Sequence, residues 1–126
     1  MNDNIYFSRV VRSFFEDYLV CRRHLCQSTI HSYRDGIKLF IGYAAARLRK
    51  RVTRLLVADV TEELVVGFLE DLQTTRGNSI QTRNHRLVIL RRLFEYIALQ
   101  EPVLADHCRR ISQIPVSYTH LRAHET

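Results

Sequence analysis

The most informative segment of the sequence is SIQTRNHRLVILRRL, residues 79–93, which contains four arginines and no acidic residue. On a helical wheel at about 100° per residue, its apolar residues and those that follow form one stripe. The stripe consists of Ile80, Leu87, Leu90, Phe94 and Ile97. The opposite face consists of Gln81, His85 and Arg92, with Thr82 and Arg86 on its shoulder. The pattern therefore predicts a helix that packs into the core on one face and is positively charged on the other.

The charge of this polar face is unusual for a surface helix. No acidic residue occurs between Arg76 and Glu95, whereas surface helices commonly mix signs to gain pairs four residues apart. Arginine binds phosphate or guanine, glutamine binds adenine, and threonine binds phosphate or a methyl group. Arg83 projects near the apolar stripe, so we expect its guanidinium to reach outward. A solvated face without a ligand is the alternative interpretation.

Apolar residues recur at helical spacing in the first half of the chain also, and predict two more helices. The first runs from Tyr6 to about Leu25, with an apolar face of Val10, Val11, Phe14, Phe15, Tyr18, Cys21 and Leu25. The second begins at an N-cap, Ser28, and its apolar face is Ile30, Tyr33, Ile37, Phe40, Ala44 and Leu48. Gly36 and Gly42 in this helix are candidates for close helix packing.

After a basic loop at residues 47–54, Thr61 predicts the cap of a third helix, which Gly77 ends. Its buried stripe is Leu64, Val65, Phe68, Leu69 and Leu72. Ser79 or Asn78 caps the helix of the opening stretch, which runs to about Gln100, and a short fifth helix covers Val103 to Ile111. No segment shows convincing period-two alternation, so the predicted fold class is all-α.

The composition indicates one domain with a polyanionic partner. The chain has 126 residues, a net charge of +6 and a pI near 9.7, and basic residues that neutralise phosphates release counterions. Its three cysteines have no metal-ligand spacing, so we expect neither a disulfide framework nor a structural metal. We expect no other cofactor. No signal peptide or membrane span is evident, which predicts a cytoplasmic protein without a membrane partner.

The start of the second helix is a further candidate site. Ser28, Thr29, His31 and Ser32 lie in or near its first turn, and a helix N-terminus attracts phosphate through its free N–H groups and its dipole. Capping of the helix N-terminus is the simpler interpretation of Ser28 and Thr29. This turn and the polar face of the fourth helix are thus two candidate surfaces for one DNA groove.

Residues 14–44, FFEDYLVCRRHLCQSTIHSYRDGIKLFIGYA, and residues 55–97, which include ADVTEELVVGFL and LRRLFEYI, resemble the core-binding, SAM-like N-terminal domain of tyrosine recombinases (phage integrases). The resemblance covers about residues 10–115; Arg83 departs from it, since the family usually has an apolar residue there. It implies an orthogonal bundle of four to five helices, residues 1–108, with the interdomain linker starting at 109–115.

The family resemblance also implies a site and partners. The second and fourth helices would face the major groove of double-stranded DNA, and other recombinase protomers would assemble with the parent protein. With Arg92 from the wheel, the predicted DNA-binding residues are Thr29, His31, Ser32, Gln81, Thr82, His85, Arg86 and Arg92. No small-molecule substrate is implied.

The last eleven residues, 116–126, VSYTHLRAHET, resemble the translation of a transposase-based sequencing-library adapter. We therefore expect this stretch not to be native and the chain to be a fragment. The family's nucleophilic tyrosine and its helper arginines, lysine and histidines would belong to a missing catalytic domain. Tyr118 lies in the adapter-like stretch and is not expected to be that nucleophile, so we do not expect this fragment to be an enzyme.

Three other functions remain open from the sequence. A helical module that binds another protein without nucleic acid is the first alternative, because small bundles also dock partner helices. For RNA binding, the sequence offers neither an aromatic platform nor an RNA-module motif. For a self-contained enzyme, it offers no Ser/His/Asp, metal-binding or phosphate-loop constellation.

Overall fold

A computed structural model describes residues 5–22 and 25–116, with the side chains of all of these except residues 21 and 22. The described part is helical, which confirms the all-α prediction. Its α-helices are α1 (Phe7–Ser13), α2 (Gln27–Leu48), α3 (Glu62–Thr74), α4 (Ile80–Gln100) and α5 (Ala105–Ser112). A π-helical segment, Phe14–Arg22, continues α1, and short 3-10 turns occur at Val52–Arg54, Val57–Asp59 and Pro102–Leu104. Strand-like pairing in the described residues is limited to one bridge between Tyr6 and Leu56.

The helix of the opening stretch, α4, lies at the centre of the bundle and packs against α2, α3 and α5. Leu87, Leu90, Phe94 and Ile97 are buried as predicted, whereas Ile80 is only partly buried. The buried face also includes Ile89, Leu93 and Tyr96, because a helix with neighbours on several sides buries more than one stripe.

The π-helical segment changes which residues of the first helix reach the core. Leu19 is fully buried although the predicted stripe omits it. In a π-helix the hydrogen bonds join residues five apart, so Leu19 comes onto the face of Phe14. Tyr18 is partly buried and stacks on Phe14 with ring centroids 5.5 Å apart. The predicted burial of Cys21 falls outside the described side chains.

Local capping chemistry fixes the starts of α3 and α4. Thr61 Oγ1 accepts a hydrogen bond from the Leu64 amide at 3.1 Å, as predicted. Ser79 Oγ accepts from the Thr82 amide at 3.1 Å, so Ser79 rather than Asn78 is the cap. α3 ends at Thr74, and Gly77, with φ +67°, turns the chain toward α4.

The predicted start of α2 is wrong. The helix begins at Gln27 with Cys26 in the N-cap position, so Ser28 lies inside the first turn and is not the cap. The Cys26 side chain makes no capping bond to the backbone. Because Ser28 already has a helical position, its hydroxyl is left to interact with the side chain of Cys26, 3.3 Å away.

The fifth helix begins after the 3-10 turn and is slightly offset from its predicted range. Cys108, Ile111 and Ile114 are buried, so packing against the bundle continues beyond residue 108. The predicted boundary between the helical domain and the linker therefore falls inside α5. Apart from Val116, the adapter-like stretch lies outside the described residues.

The described residues contain neither a helix suited to crossing a membrane nor a cluster suited to a metal ion. None of their helices combines the length and the apolar character that a bilayer crossing requires. Nor do these residues bring together three or more histidine, cysteine or acidic side chains in a way that could hold a metal ion.

Candidate nucleic-acid interface

A cleft lies between α2 and the start of α4, with a volume of about 340 Å³. Its walls are formed by Ser32, Asp35, Gln81, Thr82, His85 and Arg86. Five of the eight predicted site residues are thus brought together, from segments about 50 positions apart in the sequence. The cleft is open to solvent, so it can accept an extended ligand surface.

The N-terminal cap of α4 positions the side chain of Thr82. Ser79 accepts a bond from the Thr82 amide and donates its hydroxyl to Thr82 Oγ1 at 3.2 Å. These bonds hold the first turn in a defined geometry. Gln81 and His85, four residues apart, share one side of the helix and are both exposed.

Arg86 is held closely against α2. A Cβ atom at Gly36 would lie 3.2 Å from Arg86 Nη1 and 3.3 Å from its Cδ, so the glycine permits this approach. The close packing predicted at Gly36 is therefore confirmed. The same prediction for Gly42 is wrong, because no atom of another helix lies within 4 Å of a Cβ built there.

The guanidinium of Arg86 has an unsatisfied donor. Its Nε atom is buried and makes no hydrogen bond. A buried unpaired donor costs about 1–3 kcal/mol, and more when the group is charged. Folded proteins retain few such groups, and a functional role is one of the recognised explanations.

Asp35 also lines the cleft, and the sequence interpretation missed it. Its carboxylate lies 3.9 Å from His31 Nε2, and these side chains are 53% and 70% exposed. A second cavity of about 290 Å³ is lined by Asp35, Lys38, Leu39 and Arg86. A helical wheel of α2 could have found Asp35, since it follows Ser32 by three residues.

The other three predicted residues do not line this cleft. Thr29 is partly buried, with its hydroxyl 3.2 Å from Cys26 Sγ. His31 approaches the cleft only through its contact with Asp35. Arg92 is exposed farther along α4, and its Nη1 donates a hydrogen bond to the hydroxyl of the buried Tyr33.

Arg83 is partly buried, in keeping with its predicted position beside the apolar stripe. Its Nη1 donates to Asn84 Oδ1 at 3.0 Å. Burial lowers the pKa of the guanidinium, and the Glu70 carboxylate partly opposes this effect. Arg83 thus lies at the edge of the core. It is not among the residues that line the cleft.

The exposed thiol of Cys26, at the start of α2, is unusually acidic. Hydrogen bonds from the Ser28 and Thr29 hydroxyls stabilise the thiolate and lower the pKa of Cys26 to about 7. Cys108, in contrast, is buried against α4, and desolvation raises the pKa of that thiol to about 11. The two thiols thus differ sharply in the pH at which each ionises.

Comparison with known proteins gives a consistent result. The model of the phage integrase N-terminal SAM-like domain matches residues 13–101. Two proteins of Sinorhizobium fredii (strain NBRC 101917 / NGR234), y4rD and y4rC, are similar to the chain, and their names place them in the integrase/recombinase class. The identities are 31% over 121 residues (96% of this chain, 43% of y4rD) and 35% over 106 residues (84% of this chain, 32% of y4rC). The chain thus spans less than half the length of either relative. No solved structure matches it significantly.

Proposed function

Because the chain belongs to the phage integrase N-terminal SAM-like domain family, we propose that it is the DNA-binding domain of a tyrosine site-specific recombinase. In this proposal it clamps duplex DNA at a recombination site, for integration or recombination. The observation that carries the proposal is the cleft in which Ser32 of α2 meets four polar residues of α4. Membership of the family supports a role in DNA recombination.

The charge and exposure of α4 support this proposal. Gln81, His85 and Arg92 are all exposed, so the polar face is available to a ligand. The chain carries a net charge of +6, and phosphate contacts dominate the affinity of most DNA-binding proteins. The major groove, about 12 Å wide, admits an α-helix and presents base edges to glutamine, threonine and arginine side chains.

The proposal assigns cleavage to another part of the parent protein. We expect this chain to bind duplex DNA without a cofactor and to form no covalent link with it. Incubation with a nicked or intact duplex, followed by denaturing electrophoresis, tests this assignment. A protein–DNA adduct that survives denaturation would contradict it. Other protomers of the parent recombinase would be the protein partners.

The proposed DNA binding is tested by fluorescence anisotropy of a labelled duplex of about 30 base pairs at increasing KCl. For about four phosphate contacts, log K against log salt should have a slope of about −3.6. Gln81→Ala should weaken binding, whereas Gln100→Ala, an exposed position at the far end of the same helix, should not. Absence of binding in dilute buffer would rule out the proposed function.

A protein-interaction module is the second candidate, and one observation favours it. Leu99 and Val103 are 77% and 59% exposed at the end of α4 and in the turn that follows, and exposed apolar residues suit a protein partner. Partner binding that persists at high salt and tolerates the loss of charge at Arg86 and Arg92 would support this function. DNA binding with a steep salt dependence would support the first.

A further inference from the structure

Opposite charges line the same cleft without pairing. Asp35 and Arg86 both border the cleft between α2 and α4, and both border the cavity beside it. Among the described residues, the Asp35 carboxylate lies 3.9 Å from His31 Nε2, and no ion pair joins it to Arg86. An acceptor and a donor are thus both available to one ligand at this place.

This arrangement is poorly suited to a phosphate. A phosphate that reached Arg86 in the cleft would approach the carboxylate of Asp35, and like charges repel; Lys38 lines the neighbouring cavity and not this cleft. A base edge is neutral, and it can offer acceptors and donors side by side. The neutral groups of Ser32, Gln81 and Thr82 in the cleft walls are equally suited to a base edge.

We propose that Asp35 and Arg86 together read one G·C base pair in the major groove. This inference rests on the proposed function. Guanine presents two acceptors, O6 and N7, which a guanidinium can bind bidentately, and cytosine presents the N4 amino donor, which a carboxylate accepts. The two side chains therefore match the two bases of one pair. Arg86 is the principal reader, and Asp35 adds discrimination at the cytosine.

The surroundings of Arg86 prepare it for this role. Contact with Gly36 restricts the positions of its side chain, and a side chain held in place loses less freedom on binding. Its buried Nε has no partner in the fold, so no internal hydrogen bond fixes the guanidinium to another protein group. The restricted position of the side chain favours a directional contact with a base over a loose contact with phosphate, and the guanidinium need not break an internal hydrogen bond to make it.

Selection from a randomised duplex pool tests the inference with the chain itself. The wild type should enrich a G·C pair at one position, and Arg86→Gln should lower that preference roughly 5- to 150-fold, the range of a bidentate base contact. Asp35→Asn should relax discrimination at the cytosine. Arg110→Gln and Asp106→Asn, exposed positions on α5, are the charge-matched controls and should leave the preference unchanged.

Salt dependence separates a base contact from a phosphate contact. Arg86→Gln should leave the slope of log K against log salt unchanged, whereas loss of a phosphate contact would reduce its magnitude by about 0.9. A smaller slope with an intact G·C preference would overturn the inference.

A measurement with wild-type protein alone avoids any effect of the variants on folding. Replacing the selected guanine with 7-deazaguanine, which lacks the N7 acceptor, should weaken binding by the wild type. Unchanged affinity would overturn the inference. Duplex binding without any G·C preference would also overturn it but leave the proposed function intact, whereas failure to bind duplex at all would refute the proposed function.

Discussion

Two arginines on α4 show how its two halves differ. Arg91 Nε donates to the carbonyl oxygen of Ser112 at 2.9 Å and joins α4 to the end of α5. Arg86 Nε, five residues earlier, is buried with no partner. Near α5 an arginine of the helix is bonded within the fold, whereas the residues around Arg86 line the cleft. The later half of α4 therefore contributes mainly to stability, with Arg92 exposed on its surface, and the earlier half forms the wall of the candidate site.

The largest contrast should come from truncating a core residue in the later half. Phe94 is fully buried and stacks on Phe7 with ring centroids 5.9 Å apart. Phe94→Ala should lower the free energy of unfolding by about 3–5 kcal/mol. Gln81→Ala, on the exposed side of the earlier half, should change it by less than about 0.5 kcal/mol. Urea unfolding curves measure both, and similar midpoints for the two variants would contradict the division of α4.

The same substitution at Arg91 and at Arg86 tests whether the two halves of α4 differ in their contribution to stability. Arg91→Met keeps most of the apolar stem but leaves the Ser112 carbonyl without this donor, and should cost about 1.5–3 kcal/mol of stability. Arg86→Met removes a buried unpaired donor and should leave the free energy of unfolding unchanged or raise it. Equal losses in urea unfolding would show that both arginines are structural.

The two glycines of α2 differ in how closely other side chains approach them. Gly42→Ala should stabilise the protein by about 0.5–1 kcal/mol, since alanine favours the helix and the position is open. Gly36→Ala should gain less, because its methyl group would crowd Arg86 and Ile89. It should also weaken the G·C preference, while Gly42→Ala should not. Thermal unfolding and the same pool selection measure the two effects.

The smallest effect on the fold should come from modifying the exposed thiol. Since the pKa of Cys26 is about 7, its thiolate fraction rises through neutral pH, and its alkylation by iodoacetamide should reach half its maximal rate near pH 7. Cys108 has a raised pKa and is buried, so it should react only when the protein unfolds. Peptide mass spectrometry distinguishes the sites, and faster labelling of Cys108 would contradict the described burial.

Features that depend on local chemistry could be predicted from the sequence. The Thr61 and Ser79 caps are set by side chains within three residues of the helix start, and the stripe of α3 follows one regular period. The position of Leu19 could not be predicted, because the wheel assumes α-helical spacing and the chain there is π-helical. The earlier start of α2, and with it the true place of Ser28, also has no strong local signal.

The candidate site was predictable in part for a similar reason. Polar residues on the exposed face of α4 are evident from the wheel, and five predicted residues meet in the cleft. A helical wheel places Asp35 on the same side of α2 as Ser32, but the orientation of that side toward α4 depends on how the two helices pack. The close approach of Arg86 to Gly36 depends on the distance between α2 and α4, so it could not be predicted from the sequence.

The hydrogen bond between Arg92 and Tyr33 gives the molecule an intrinsic optical reporter. The chain contains six tyrosines and no tryptophan, so tyrosine emission is not masked. Tyr33 also lies 6.3 Å from Phe14, ring centre to ring centre, within an aromatic cluster. A DNA phosphate that draws Arg92 away would free the phenol of Tyr33, and the resulting change in ultraviolet fluorescence would follow docking without any added dye.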